Sequence, residues 1–315
     1  MSFDKTKKLA NGQRSLTKRL VVISLVLFSI VNTWQPARVS AQTKSEPLPQ
    51  GNIVLKWLGT AGWEIQIGQT IILIDPFLTR GEANLGVEWK TDEQAVLNAI
   101  KRADYIFAGH SHADHIADIP FIAKKFGSKV IGSRTTTNIA LTGGVDKSQL
   151  ITISGGEKLD FKEFSVQVIE SEHGTLVRRG RRVRPKFEEI AKPWTGPIMG
   201  DAFVEGGCYL YYFTFGKQRI LHQSTGGLIE DKIAGLRADV ALLYPMRRDE
   251  LAEMLKPLQP KTVFVHHFDK QHLPFADGVP EEIMGRTRRF ARDVAAIDNN
   301  IKVVIPKYFE THILE

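Results

Sequence analysis

The 315-residue chain has a single cysteine, Cys208, so no intramolecular disulfide can form. An oxidising compartment is thereby neither supported nor excluded. Cys208 opens the strand-like run "CYLYYFTF", where a buried structural thiol is expected. The sequence also lacks internal repeats, low-complexity tracts and any Pro/Gly/Ser linker after residue 41, so residues 42–315 read as one large domain. A run long enough to cross a bilayer is missing as well. The segment "LVVISLVLFSIV" (20–31) has twelve residues, where about 20 are needed. It follows a basic start with Lys5, Lys7, Lys8, Arg14, Lys18 and Arg19, and leads to small residues at Val39 and Ala41. This is the pattern of a secretory signal peptide, residues 1–41, cut after Ala41, which places the mature protein in the periplasm or outside the cell. An uncleaved anchor is the competing reading and would be the chain's one membrane contact. A buried core helix is a third, but it would show polar positions at helical period.

Excess charge is the next absence. The chain carries a formal +7 and a pI of 9.3, yet residues 1–41 hold seven of the 42 Lys and Arg and one of the 35 Asp and Glu. What remains is 35 against 34, a net +1. The basic pI therefore describes the leader, and no nucleic-acid partner is expected.

What the chain does have is "AGHSHADHIAD" (108–118), which packs His110, His112, Asp114 and His115 into six positions. By chance such an H-x-H-x-D-H pattern should arise in about four of ten thousand chains of this composition. In an extended segment His110 and His112 point to one side, and a bend after them brings Asp114 and His115 to the same opening. Imidazole and carboxylate donors without thiolate suit a catalytic rather than a structural zinc. The bland alternative is a polar surface loop.

Strand-like runs "NIVLKWL", "WEIQI" and "TIILID" open the mature chain with Gly-bearing turns between them, an antiparallel meander. A helix near 92–102, the strand "YIFAG", a helix through "ADIPFIAKKFG", the strand "KVIGS" and a helix near 134–141 follow. The strand "FSVQVIESEHG" (164–174) comes next, and 175–200 reads as irregular. "CYLYYFTF" and "RILHQS" form a hairpin turning at Gly216-Lys217; helix, "VALLYP", helix and "TVFVHH" complete the order. Such a sequence of elements predicts a layered αββα arrangement, an α/β fold. Histidines cluster where strands end, the places at which open sheets present ligand sites.

The motifs "ILIDPFL", "GHSHADH", "ESEHG", "RILHQSTGG" and "TVFVHHFD", in that order over residues 52–305, resemble the metallo-β-lactamase superfamily. The compact start and "DPFL" look more like its lactonase and phospholipase-D-like branch than its true β-lactamases. The resemblance implies a four-layer αββα sandwich with one or two Zn²⁺ at one edge. Carried over by position, His110, His112 and His173 would bind the first zinc. Asp114, His115 and His267, ahead of His266, would bind the second. Asp75 would orient a ligand histidine from behind. Many hydrolases of this superfamily carry a metal-bridging aspartate after the equivalent of "RILHQS", where this chain has Ser224. A Ser224→Asp exchange would then be expected to raise metal stoichiometry. The predicted set of three histidines plus Asp-His-His is similar to that of β-lactamases which also lack the bridge. Asp201 is a weak substitute ligand by its place before the "CYLYYFTF" strand, and His222 falls one step off the usual ligand position.

The resemblance implies hydrolysis of an ester, lactone or phosphodiester by a metal-bound hydroxide, formed because Zn²⁺ lowers the pKa of bound water to about 7. Asp114 would orient that hydroxide and accept its proton. An exported β-lactamase is the runner-up, and a non-catalytic metal-binding protein with a degenerate second site is the reading from another class. The substrate would be a small molecule, anionic if "RRGRRVRPK" (178–186) clamps it through Arg178, Arg179, Arg181 and Arg182. That run is otherwise a solvated loop, with no aromatic before Phe187 to stack a base. Trp63 stands either at the rim of the site or in the core. Amino-terminal sequencing of the exported protein is expected to start at Gln42; a start at Met1 would favour the anchor.

Overall fold

Strands that are apolar at every position must be covered on both faces, and this chain covers them with two different cores. In Thr70–Ile74, Ile72 and Ile74 face one core while Leu73 faces the other. The neighbouring strands repeat the division: Phe107 against Ile106, and Ile131 against Val130. The computed structural model describes residues 51–174, 176–178, 181–183, 187–227 and 229–314. The expected leader, 1–41, lies outside them. Among the described residues no helix is long and apolar enough to cross a membrane.

Two seven-stranded sheets carry the fold. The first runs in space Thr311–Leu314, Ile53–Gly59, Gly62–Ile67, Thr70–Ile74, Tyr105–Phe107, Lys129–Gly132, Leu150–Thr152. Its first four strands are antiparallel, and the later ones pair in parallel. The second runs Lys158–Asp160, Ser165–Ser171, Cys208–Phe215, Gln218–Gln223, Val240–Leu243, Thr262–Val265, Lys302–Val304. It too begins as an antiparallel meander and ends in parallel pairs. Both sheets are thus of the same kind, with α-helices in the parallel crossovers except that from Gln218–Gln223 to Val240–Leu243.

Between the sheets lies a core rich in aromatics. Phe107 meets Tyr211 and Phe213 edge-on at ring-centroid distances of 5.1 and 5.2 Å. On the outer face of the first sheet, Val96, Ile116, Ile122 and Ile139 cover Leu58, Leu73, Ile106 and Val130 from the helices Glu93–Ala99, Ala113–Ile116, Ile119–Phe126 and Arg134–Thr142. Helices Arg248–Leu258 and Met284–Ile297 cover the second sheet through Leu251, Met254, Phe290 and Val294. The outcome is the expected four-layer αββα sandwich.

Local chemistry sets the element ends. Asp92 caps helix Glu93–Ala99 by accepting from the Ala95 N–H at 2.9 Å, and Ser133 caps helix Arg134–Thr142 by accepting from Thr136 N–H at 3.1 Å. The hairpin turns at Gly216-Lys217 as expected, with Gly216 at φ +56° and Phe215 paired to Gln218. Three expectations need correction. The segment after residue 174 is not wholly irregular, because Leu176–Arg178 and Arg181–Val183 pair as a hairpin. The helix expected between "RILHQS" and "VALLYP" is only a 3₁₀ turn, Glu230–Ile233. The last strand, Thr311–Leu314, extends the opening meander by pairing with Ile53–Gly59, a long-range contact that no local pattern announces.

Candidate metal centre

The strand Tyr105–Phe107 ends in the middle of the first sheet, and the chain crosses the sheet edge as "AGHSH" before helix Ala113–Ile116 begins at once. His112 is its N-cap residue with extended backbone (φ −70°, ψ 156°), so Asp114 and His115 fall in the first turn. This is the bend the spacing predicts. Gly109 is obligatory for a steric reason. A Cβ there would lie 2.2 Å from Cβ of Ser224, which arrives from the end of Gln218–Gln223 on the other sheet.

Six side chains converge in two groups: His110, His112 and His173, and Asp114, His115 and His267. Within each group the potential ligand atoms lie within 4.8 Å of one another. His110 Nε2 and His112 Nδ1 are 3.0 Å apart. Two nitrogens bound tetrahedrally to one zinc would stand roughly 3.3 Å apart, so the spacing fits lone pairs sharing a cation. His267 Nε2 is 3.1 Å and His115 Nε2 is 3.6 Å from Asp114 Oδ2.

The far nitrogens of His110, His115 and His173 are anchored to protein, which fixes which lone pair faces inward. His173 Nδ1–H donates to the Gly174 carbonyl at 2.8 Å. His115 Nδ1 stands 2.9 Å from Asp75 Oδ2 and 3.0 Å from Ser224 Oγ. One N–H cannot serve both fully, and the aligned partner is the serine. Ser224 Oγ also lies 3.3 Å from His110 Nδ1. Asp75 is fully buried, takes the Gly109 N–H at 2.6 Å, and holds a left-handed φ of +46°. Such backbone is costly for a non-glycine residue and is found where surrounding structure over-determines it.

Burial and neighbouring charges shift four of the six groups. Burial, then the neighbouring imidazoles, hold His110 well below the usual histidine range, so it is neutral with a free lone pair. Burial likewise lowers His173. For Asp114, burial alone would raise the carboxyl, but His115 and His267 outweigh it and keep it ionised well below the usual range. For His115, burial works downward, and Asp114 and Asp75 overcome it to raise the ring. Two imidazoles held neutral, His110 and His173, beside the ionised Asp114 are donors that fit a divalent cation. A cation at the second group would displace the proton that Asp114 and Asp75 favour on His115.

Of the two adjacent histidines, His266 has both nitrogens in use. Trp63 Nε1–H donates to its Nδ1 at 2.9 Å, and its Nε2–H donates to the Gln223 carbonyl at 3.1 Å. His267 turns the other way because its backbone is left-handed, φ +51°. Trp63 is therefore core, not rim. His222 is buried and donates to the Ala61 carbonyl at 2.9 Å. Asp201 is exposed, accepts from the Gly86 N–H and joins neither group. Ser224 is not placed as a bridge. Its hydroxyl faces the Nδ1 side of His110 and His115, away from the open face. Arg178, Arg181 and Arg182 lie on the hairpin strands, whose side chains are outside the described residues, as is Arg179.

Sequence reasoning missed the support of the second group. Asp269, two residues after His267, accepts the Thr60 N–H at 3.0 Å and the Tyr308 hydroxyl at 3.0 Å, and pairs with Arg80 at 2.9 Å. The Arg80 and Asp269 side chains are 5% and 0% exposed. Thr60 in turn accepts the His267 N–H at 2.8 Å and donates its hydroxyl to the Asp114 carbonyl at 3.3 Å. Thr60, Arg80 and His267 all have positive φ, 45°, 54° and 51°. A carboxylate two residues after "HH" in "HHFD" was the available clue. Asp118, last in the opening motif, is also structural: it takes the N–H groups of Leu78 and Thr79 at 2.7 and 2.8 Å, holding the loop after Asp75.

An αββα sandwich with one three-imidazole group and one imidazole-carboxylate group at one edge is a metal-site fold. Residues 54–267 match the sequence profile of the beta-lactamase superfamily domain, well over half of the chain, so the chain belongs to that superfamily. It is similar to a metal-dependent hydrolase of Polynucleobacter asymbioticus, 26% identical over 280 residues that span 85% of this chain and 88% of the relative. A second, from Myxococcus xanthus, is 23% identical over 281 residues, 86% of this chain and 87% of its own length. Among solved structures the chain is similar in fold to a metallo hydrolase from the archaeon Ignicoccus hospitalis. That pair has a TM-score of 0.57 at 17% identity, covering 84% of this chain and 99% of the other.

Asp269→Asn leaves Arg80 buried without its counter-charge, which typically costs about 3–5 kcal/mol. The expected result is a lower urea midpoint and preferential loss of one bound metal equivalent; equal loss of both would count against its link to His267. Ser224→Asp would set a second carboxylate against buried Asp75, so metal stoichiometry is expected to fall, contrary to the bridging expectation. Metal analysis of the variant decides.

Proposed function

We propose that the chain is a zinc-dependent hydrolase acting on an ester, lactone or phosphodiester bond. Its class is metal-dependent hydrolase of the beta-lactamase superfamily; the zinc, the ligand roles and the bond type are the proposal. The supporting observation is the pair of converging groups opening on one cavity of about 320 Å³. His110, His112 and His173 would hold one ion, and Asp114, His115 and His267 the other. A bound divalent cation lowers the pKa of a water toward 7 and polarises the oxygen of the bond to be cut.

The chain's own groups supply the rest. Asp114 stays ionised, with Oδ2 toward His115 and His267. Its Oδ1 is the proposed acceptor for the proton of the attacking water. His110 and His173, neutral and anchored, cannot compete as proton acceptors once ligated. Cys208 plays no nucleophilic part, because burial holds its thiol protonated far above the ordinary range.

The test is zinc-loaded mature protein assayed against nitrophenyl esters, lactones, bis(nitrophenyl) phosphate and a β-lactam, with metal measured on the protein as isolated. At least one zinc per chain and turnover of one ester-like substrate are expected. Less than one metal equivalent and no turnover on any of the four would defeat the proposal. His112→Ala should abolish activity and cost at least one metal equivalent; undiminished turnover would sink the ligand assignment.

A further inference from the structure

The cavity that both groups face has a second wall, which none of the roles above uses. Tyr244, directly after strand Val240–Leu243, and Arg286, in helix Met284–Ile297, line it together with Gln271. The phenol reaches close to the first group. A Cβ built on Gly174 would lie 2.6 Å from Tyr244 Oη, and Gly174 follows His173 directly. The missing side chain at 174 is therefore the space in which that hydroxyl stands. Burial, then Glu250, push the phenol up to about 12 against the opposing effect of Arg286. At neutral pH it keeps its proton and offers a donor.

Arg286 gives one guanidinium nitrogen to the carbonyl of Pro245, the residue after Tyr244, which ties the fork beside the phenol. Arg288, two residues on, is paired with Glu281. Arg286 has no carboxylate within ion-pair distance among the described residues. Among the described residues the one carboxylate lining the cavity, Asp114, is turned to His115 and His267. A guanidinium fork next to a neutral phenol donor is suited to the oxygens of an anion.

We propose that Arg286 and Tyr244 form an anion subsite, so that the substrate is a small molecule carrying a carboxylate or phosphate group apart from the bond that is cut. This rests on the hydrolase reading of the same cavity and deepens it by naming the substrate class. The reacting bond lies against the imidazole groups, and the anionic end lies against the opposite wall. A cavity of about 320 Å³ is at the small end for ligand sites, which limits the molecule to a compact one. The arginine run at 178–186, the sequence's own candidate for this task, is not required.

The test measures binding rather than turnover, so it stands or falls separately from hydrolysis. Phenylacetate and phenylphosphonate, with uncharged phenylacetamide as control, are titrated calorimetrically into the zinc-loaded protein, its Arg286→Gln and Arg286→Lys variants, and Tyr244→Phe. Wild type should bind at least one anion more tightly than the amide. Arg286→Gln should weaken that anion by about 10- to 100-fold, as expected for a charge-assisted hydrogen bond, and leave the amide and the metal content unchanged. Arg286→Lys, which keeps charge but loses the fork, should fall between, and Tyr244→Phe should cost less than Arg286→Gln. A larger loss for the phosphonate assigns phosphate; a larger loss for the acetate assigns carboxylate. Equal anion affinity in wild type and Arg286→Gln at equal metal content overturns the subsite, since the anions would then be held by metal alone. So does a wild type that prefers neither anion to the amide.

Discussion

The whole edge of this molecule depends on holding five imidazoles and a carboxylate close enough to share cations, with their free lone pairs facing one cavity. A histidine with both nitrogens free could turn away from that cavity. The fold forestalls this by tying down far nitrogens: His173 to the Gly174 carbonyl, and His110 and His115 to Ser224, with Asp75 behind His115. The lone pairs that remain have one direction to face. His266 shows the opposite outcome, because both of its nitrogens are occupied and it belongs to the core.

That arrangement costs backbone strain, and the strain is concentrated. Asp75, Thr60, Arg80 and His267 all hold left-handed φ values without being glycine. Asp75 is locked by the Gly109 N–H, and the other three belong to one network centred on Asp269. A buried ion pair is weak evidence for stability in itself. Here it joins the loop after strand Thr70–Ile74, through Arg80, to the loop bearing His267, and the Thr60 N–H ties in the turn after Ile53–Gly59, segments that would otherwise be independent. Gly109 serves the same end by absence, since only a missing side chain lets Ser224 from the second sheet reach the histidines of the first.

The cavity has two unlike walls. One gathers ligating groups from the ends of three strands, Tyr105–Phe107, Ser165–Ser171 and Thr262–Val265. The other, Tyr244 with Arg286, comes from the second sheet and its outer helix. This division follows from the sandwich, because strands from both sheets end at one edge and only the covering helix can close the remaining side.

Much of the fold was legible in the residues. The short apolar, β-branched runs "TIILI" and "YIF" and the Gly-bearing turns state strand and hairpin directly, because β propensity and positive φ are local properties. The H-x-H-x-D-H spacing states a ligand cluster for the same reason: all four groups lie within one strand end and one helical turn. Other features could not be read locally. Whether His266 or His267 faces the cavity turns on one residue's φ and on Trp63, two hundred positions earlier. Which side of the histidines Ser224 occupies depends on how closely the two sheets approach at Gly109. The roles of Asp269, Tyr244 and Arg286 exist only once distant strands and helices meet. The sequence by itself determined the elements, their order and the chemistry of the donors. Only the tertiary structure decided which donors share a cavity and what stands opposite them, because those relations are distances between segments that the chain brings together last.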